Sequence, residues 1–268
     1  MEKITLTVLW EQATQARNNG QTTAARQLYH QILQQEEDPR RRAEAWQMIG
    51  VCHKIDNNLE AALESLAKAF NDYQEAGDLL GQGNVARDIA LTYAYQERYK
   101  EALPWLEKSI AALEQTDDRS ALGMSRVKKG LVLARAEQRN TEALPLAKKG
   151  LEEIRADKEH YNWFFEMTAL FNIAEILFLQ DNPSFLTYAQ AALALIYEAQ
   201  AASEQKRRLA QIYILLAHGY QQNGNQGQAL KFLQRGESLL QELEDPEARK
   251  VIARELDLDQ LKERIKSS

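Results

Sequence analysis

The sequence predicts an all-α, elongated solenoid of paired helices, and three observations carry that prediction. The chain of 268 residues is rich in Ala, Leu, Gln, Glu, Lys and Arg and holds only five prolines, a helix-forming composition. It is longer than one compact core usually is, yet no stretch of it reads as a linker between domains. The same residues also return at a fixed offset, the mark of a repeat architecture. Asp38, Asp78, Asp118 and Asp157 follow one another at 40, 40 and 39 positions, and Gly50, Ala90 and Gly130 at 40 and 40. Ala62 and Leu63 come back as Ala102 and Leu103, then as Ala143 and Leu144.

Six units are expected, roughly 1–38, 39–78, 79–118, 119–157, 158–203 and 204–244, each a helix-turn-helix. The second shows the design. Trp46, Ile49, Gly50 and His53 fall three or four apart, and after the break at Asp56–Asn58 so do Leu59, Ala62, Leu66 and Ala69. Small residues at Gly50, Ala90 and Gly130 let paired backbones approach, and Ala62 and Ala102 serve from the opposite helix. The fifth unit is the least regular, because its loop around Pro183 and its aromatic first helix stretch the spacing from Gly130 to Ala174 to 44. After Pro246 a last helix, with Val251, Ile252, Leu256, Leu261 and Ile265 on one side, is expected to cap the final unit, giving a cap over 245–268.

Gly81, Gly83 and Ala86 stand at the spacing of a dinucleotide-binding fingerprint, but that motif needs a strand ahead of it. Here a helix precedes it. Gly77 is placed to end that helix, Asp78 to cap the next, and the two glycines fall in the new helix's first turns. No cofactor is expected.

The formal charge of −6 and pI near 5.4 argue against a general affinity for nucleic acid. Cys52 is the sole cysteine, which excludes an intramolecular disulfide and a cysteine-based zinc cluster and fits a reducing compartment. The opening apolar run meets charge at Glu11, too soon for a signal peptide, and nowhere do some twenty apolar residues run uninterrupted. A cytoplasmic location without a membrane span is the expectation.

Trp46, Ile49, Gly50, His53, Ala62, Leu66 and Ala69 resemble the signature of the tetratricopeptide repeat family. The third unit repeats it with Ile89, Ala90, Tyr93, Ala102, Leu106 and Ser109, and the last with Tyr213, Leu216, Ala217, Tyr220, Gly224, Ala229, Leu233 and Gly236. The first unit carries a weaker version in Ala13, Gly20, Ala25, Tyr29 and Ile32. The period exceeds the family's usual 34 or so, and is similar to the long repeats of kinesin light chains and Leu-Gly-Asn adaptors. Pro104 and Pro145, early in the second helices, are similar to the kinesin-light-chain form. Those repeats often place Asn two residues before the small position; Asn172 matches, whereas Met48, Asp88 and Lys128 depart.

The resemblance implies a right-handed superhelix whose first helices line an inner wall where a protein or peptide partner binds. Inward positions are then Arg17, Asn18, Lys54, Asn84, Arg87, Tyr95, Lys128, Arg135, Phe171, Asn172, Phe178, His218 and Gln222. Lys54, Arg87, Lys128 and Arg135 would form a positive wall for an acidic peptide, with a merely solvated helix face as the plainer alternative. Phe164, Phe171 and Phe178, with Trp163, Phe165 and Met167 nearby, would offer a trough to an amphipathic helix, or simply fill a larger core.

Catalysis is not expected. Cys52 and His53 are neighbours whose side chains diverge by about 100° on a helix, and His30, His160 and His218 lie on different units without metal-ligand spacing. The leading expectation is a non-catalytic scaffold, adaptor or assembly helper. The alternative is a peptide-sensing regulator acting by protein contact, since the repeats begin within a dozen residues and leave no room ahead for a helix-turn-helix. Self-association through the first unit is a third.

Overall fold

The computed structural model of the chain describes residues 5–136, 141–243 and 245–267. The first four residues of the opening unit and residue 244, which closes the sixth, therefore lie outside the described residues. Among those described there are fourteen helices and no strand. None of these helices is long and apolar enough to cross a membrane.

Twelve helices form six hairpins in chain order. They are α1 (Leu6–Asn18) with α2 (Thr22–Leu33), α3 (Pro39–Ile55) with α4 (Leu59–Glu75), and α5 (Leu79–Tyr95) with α6 (Tyr99–Leu113). Then come α7 (Arg119–Ala136) with α8 (Ala143–Ala156), α9 (Trp163–Leu179) with α10 (Phe185–Glu198), and α11 (Lys206–Gln222) with α12 (Gln226–Glu242). Each helix packs on its neighbours in sequence, and α7 also packs on α5 and α9, as α9 does on α11. The molecule is a superhelical solenoid, with the first helices of successive hairpins sharing one face.

Local chemistry sets the ends of these helices. Asp38, Asp78 and Asp118 cap α3, α5 and α7, accepting from the N–H groups of Arg40, Gly81 and Ala121 at 3.1, 2.9 and 2.7 Å. Asp157, the fourth in the series, caps nothing so simple: its two oxygens accept from Ser120 N–H at 2.8 Å and His160 N–H at 2.9 Å, while Asn162 caps α9. The loop between them displaces the helix start. Many turns then need a residue at positive φ to leave the preceding helix, and only Gly20, Gly77 and Gly224 take it without a Cβ penalty.

Gly81 and Gly83 are packing residues of α5. A Cβ on Gly81 would lie 2.3 Å from the Tyr73 ring, and one on Gly83 would lie 2.4 Å from Leu113.

The C-terminal segment is two helices rather than the one expected, α13 (Pro246–Glu255) and α14 (Leu258–Ser267). The break is Asp257, at φ 47°, whose carbonyl accepts from Leu261 N–H as the new helix begins. The apolar residues Ile252, Leu256, Leu261 and Ile265 remain buried and extend the continuous core of α7–α12.

Candidate functional site

The first helices of the third to sixth hairpins converge on one cleft of about 300 Å³. Its walls are Leu91 and Tyr95 from α5, Lys128, Leu131 and Arg135 from α7, Asn172 and Glu175 from α9, and Arg207, Arg208 and Gln211 from α11. Val251 and Glu255 of α13 complete it. A smaller cavity of about 180 Å³ adjoins it, and Arg135, Glu175 and Glu255 line both.

Those three residues form one ionic cluster. One Arg135 nitrogen donates to Glu255 at 2.8 Å, and the other to Glu175 at 2.7 Å and Glu255 at 3.1 Å. Burial acts to lower the Arg135 pKa, but the two carboxylates outweigh it and hold it above the ordinary guanidinium value. Burial pushes the Glu255 carboxyl up against the pull of Arg135.

The remaining cations have no such partner. Among the described residues, Lys128, Arg207 and Arg208 have no carboxylate within ion-pair distance, because both cleft carboxylates are engaged by Arg135. Desolvation brings the Lys128 ammonium down to about 7, with the positive charge of Arg208 adding to the effect. Burial likewise lowers Arg208 to about 10. Its guanidinium lies over the Phe171 ring at 4.1 Å and donates to Gln211 at 3.0 Å. Asn172 is 1% exposed, and its amide nitrogen has no acceptor. The cleft therefore holds an excess of hydrogen-bond donors and positive charge, which is the complement of an anion.

Of the residues anticipated from sequence, Tyr95, Lys128, Arg135 and Asn172 meet here. Arg87 lies close by as a bridge between α5 and α7, donating to Asn84 at 2.9 Å, to Ser125 at 3.2 Å and to the Ala121 carbonyl at 3.3 Å. Asn84 thus serves Arg87. Lys54, half-buried at the end of α3, is not among the lining residues. Phe171 is wholly buried, Phe178 packs on Phe185 and His218 with ring centroids 5.4 and 4.8 Å away, and Phe164 is exposed. The three phenylalanines therefore do not line one trough.

Sequence reasoning missed Arg207, Arg208, Gln211, Glu175 and Glu255. One signal was present: Lys206, Arg207 and Arg208 open α11, where the helix dipole disfavours positive charge. The structure also gathers Asp118, Asp157 and His160, with ligand atoms within 4.8 Å of one another. Their carboxylates already accept backbone N–H groups, so this cluster closes the loop between hairpins.

The sequence profile of the tetratricopeptide repeat matches residues 41–115. No curated protein matches the chain in sequence. Among solved structures, the Rap protein complexed with competence and sporulation factor superposes with a TM-score of 0.68 at 13% identity, over 99% of this chain and 70% of that one. BtubC from P. vanneervenii gives 0.60 at 10% identity, over 73% and 81%. The nearly identical tetratricopeptide-like repeats of a putative kinesin light chain from Podosopora anserina give 0.55 at 14% identity, over 73% and 97%. At these identities the likeness is one of fold.

Proposed function

We propose that this chain, a tetratricopeptide-repeat protein, is a non-catalytic scaffold that holds an acidic peptide segment of a partner protein in its concave cleft. The observation that carries the reading is the charge imbalance there. Lys128, Arg207 and Arg208 stand without a carboxylate partner around the unmatched amide of Asn172. A stacked array of hairpins is preorganised, so a docking segment bears most of the ordering cost. A carboxylate entering the cleft gives an ion-pair partner to cations that have none and an acceptor to the buried Asn172 amide, which is why an acidic segment fits better than the apolar face of an amphipathic helix. On the same reading each hairpin is one repeat, residues 245–268 close the last, and the unpaired Cys52 suits the cytoplasm.

The test is fluorescence anisotropy with a labelled hexaglutamate peptide, and a labelled hexaglutamine peptide as control. Hexaglutamate should bind, more weakly as salt rises, and Arg207→Glu with Arg208→Glu should reduce its affinity roughly tenfold or more. Equal binding of both peptides, or no effect of the reversal, would reject the acidic groove.

A second reading, a sensing regulator that passes on its ligand state by protein contact, is favoured by one observation. The Rap structure, which carries its competence and sporulation factor, superposes along 99% of this chain.

A further inference from the structure

Four helices of the solenoid wall build the cleft, but its remaining side comes from α13, which belongs to no hairpin. This helix of ten residues follows the sixth hairpin, and yet its end reaches back over three others. Arg254 pairs with Glu97 in the turn after α5, Glu255 pairs with Arg135 of α7, and through Arg135 it joins Glu175 of α9. The Leu256 carbonyl accepts from His218 Nε2 of α11 at 2.6 Å. An acidic side chain on a separate helix is therefore seated in the cationic groove, on the one arginine that has carboxylate partners.

Chemically, Glu255 does what the acidic segment proposed above would do. Its seat is not a comfortable one. A carboxylate loses hydration on burial, and here it shares its single arginine with Glu175. The neighbouring helix is held independently: Leu258, Leu261 and Ile265 of α14 are buried, and Gln226 donates to the Ile265 carbonyl at 2.9 Å. Between the two helices lies the left-handed residue Asp257. Ile252 and Leu256 anchor α13 in the core as well, so what an incoming acid exchanges is the Glu255 side chain and its ion pairs, with the helix and the C-terminal cap left in place.

Resting on the reading of the cleft as a peptide groove, we infer that α13 is its resident occupant: Glu255 holds a ligand carboxylate's place on Arg135, and an acidic partner binds by displacing it. The groove is self-occupied when empty of partner. Affinity for an acidic segment is then set by the difference between two carboxylates competing for Arg135, and whatever loosens α13 raises it.

Hydrogen–deuterium exchange on the full chain tests the contact without any ligand. Glu255→Ala should speed exchange in residues 246–256 while leaving α3 and α4 unchanged, and Glu97→Ala, outside the larger cleft, should do so more mildly. With labelled hexaglutamate as the probe, Glu255→Ala should bind about fivefold tighter or more than the native chain. Glu263→Ala, the loss of an exposed acid on α14, should bind as the native chain does. Unchanged exchange in both Glu255→Ala and Glu97→Ala, or native probe affinity in Glu255→Ala, overturns the inference while leaving the groove intact. A loosened α13 with no probe binding in any form rejects the groove itself, and the exchange with it.

Discussion

Arg135 and Glu255 lie 120 positions apart in the chain and meet at 2.8 Å beside the cleft. This pair joins the fourth hairpin to a helix beyond the sixth, and the same guanidinium also holds Glu175. Among the described residues, Lys128, Arg207 and Arg208 are thereby left as the cleft's unmatched cations. The asymmetry gives Lys128 a measurable signature.

Lys128 faces Arg208 and Arg207 from α11, Arg135 from its own helix, Arg87 from α5, and the carboxylates of Glu175 and Glu255 from α9 and α13. Desolvation sets its folded pKa at about 7, against 10.5 in the unfolded chain. Between those values the unfolded chain binds more protons, so stability rises with pH across that window. Below it both states carry the proton and the whole penalty of the buried charge stands. Lys128→Met should therefore stabilise the protein at pH 6 by about 1 kcal/mol or more, about 2–4 °C for a chain of this size. The gain should shrink at pH 9. Thermal melts at the two pH values decide it, and an equal gain at both would refute the assignment.

Phe171 is fully buried beneath the Arg208 guanidinium. Phe171→Ala should cost about 3–5 kcal/mol in urea denaturation, the usual range for deleting a core ring. A cost below about 1 kcal/mol would instead place the ring on an adaptable surface.

Gly123 and Gly150 bring α7 and α8 together backbone to backbone. A Cβ on Gly150 would stand 2.3 Å from the Gly123 carbonyl oxygen and 3.1 Å from the Val127 nitrogen. Alanine gains up to about 1 kcal/mol in helix propensity, but overpacking against backbone costs about 1–3 kcal/mol. Gly150→Ala should accordingly lower the melting temperature. Gly227→Ala, in α12 with nothing within 4 Å of its Cβ, should raise it. Movement of both variants in the same direction would show that contact does not govern the first.

Much of this architecture is legible in the residues because hairpin chemistry is local. Asp38, Asp78 and Asp118 recur at the hairpin period and each caps a helix, and Gly77 ends α4 with the left-handed geometry its position requires. Asp157 shows where periodicity misleads. It keeps the spacing, but the loop before α9 moves the helix start, and its carboxylate turns to Ser120 and His160. The aromatic helix α9 was ambiguous for a different reason: residues Met167 to Leu177 are buried on every side, so no amphipathic stripe distinguishes core from binding surface.

The sequence by itself determined the helices, their pairing and the small residues at their crossings, since each depends on neighbours within about forty positions. The family resemblance it carries also pointed to Tyr95, Lys128, Arg135 and Asn172, which line one cleft, and to Lys54, which does not. Only the tertiary structure decided that Arg207 and Arg208 join them, and that the final helix breaks at Asp257 and returns to pair Glu255 with Arg135. Those contacts depend on how successive hairpins rotate against one another, and an ion pair across 120 residues leaves no periodic trace in the chain.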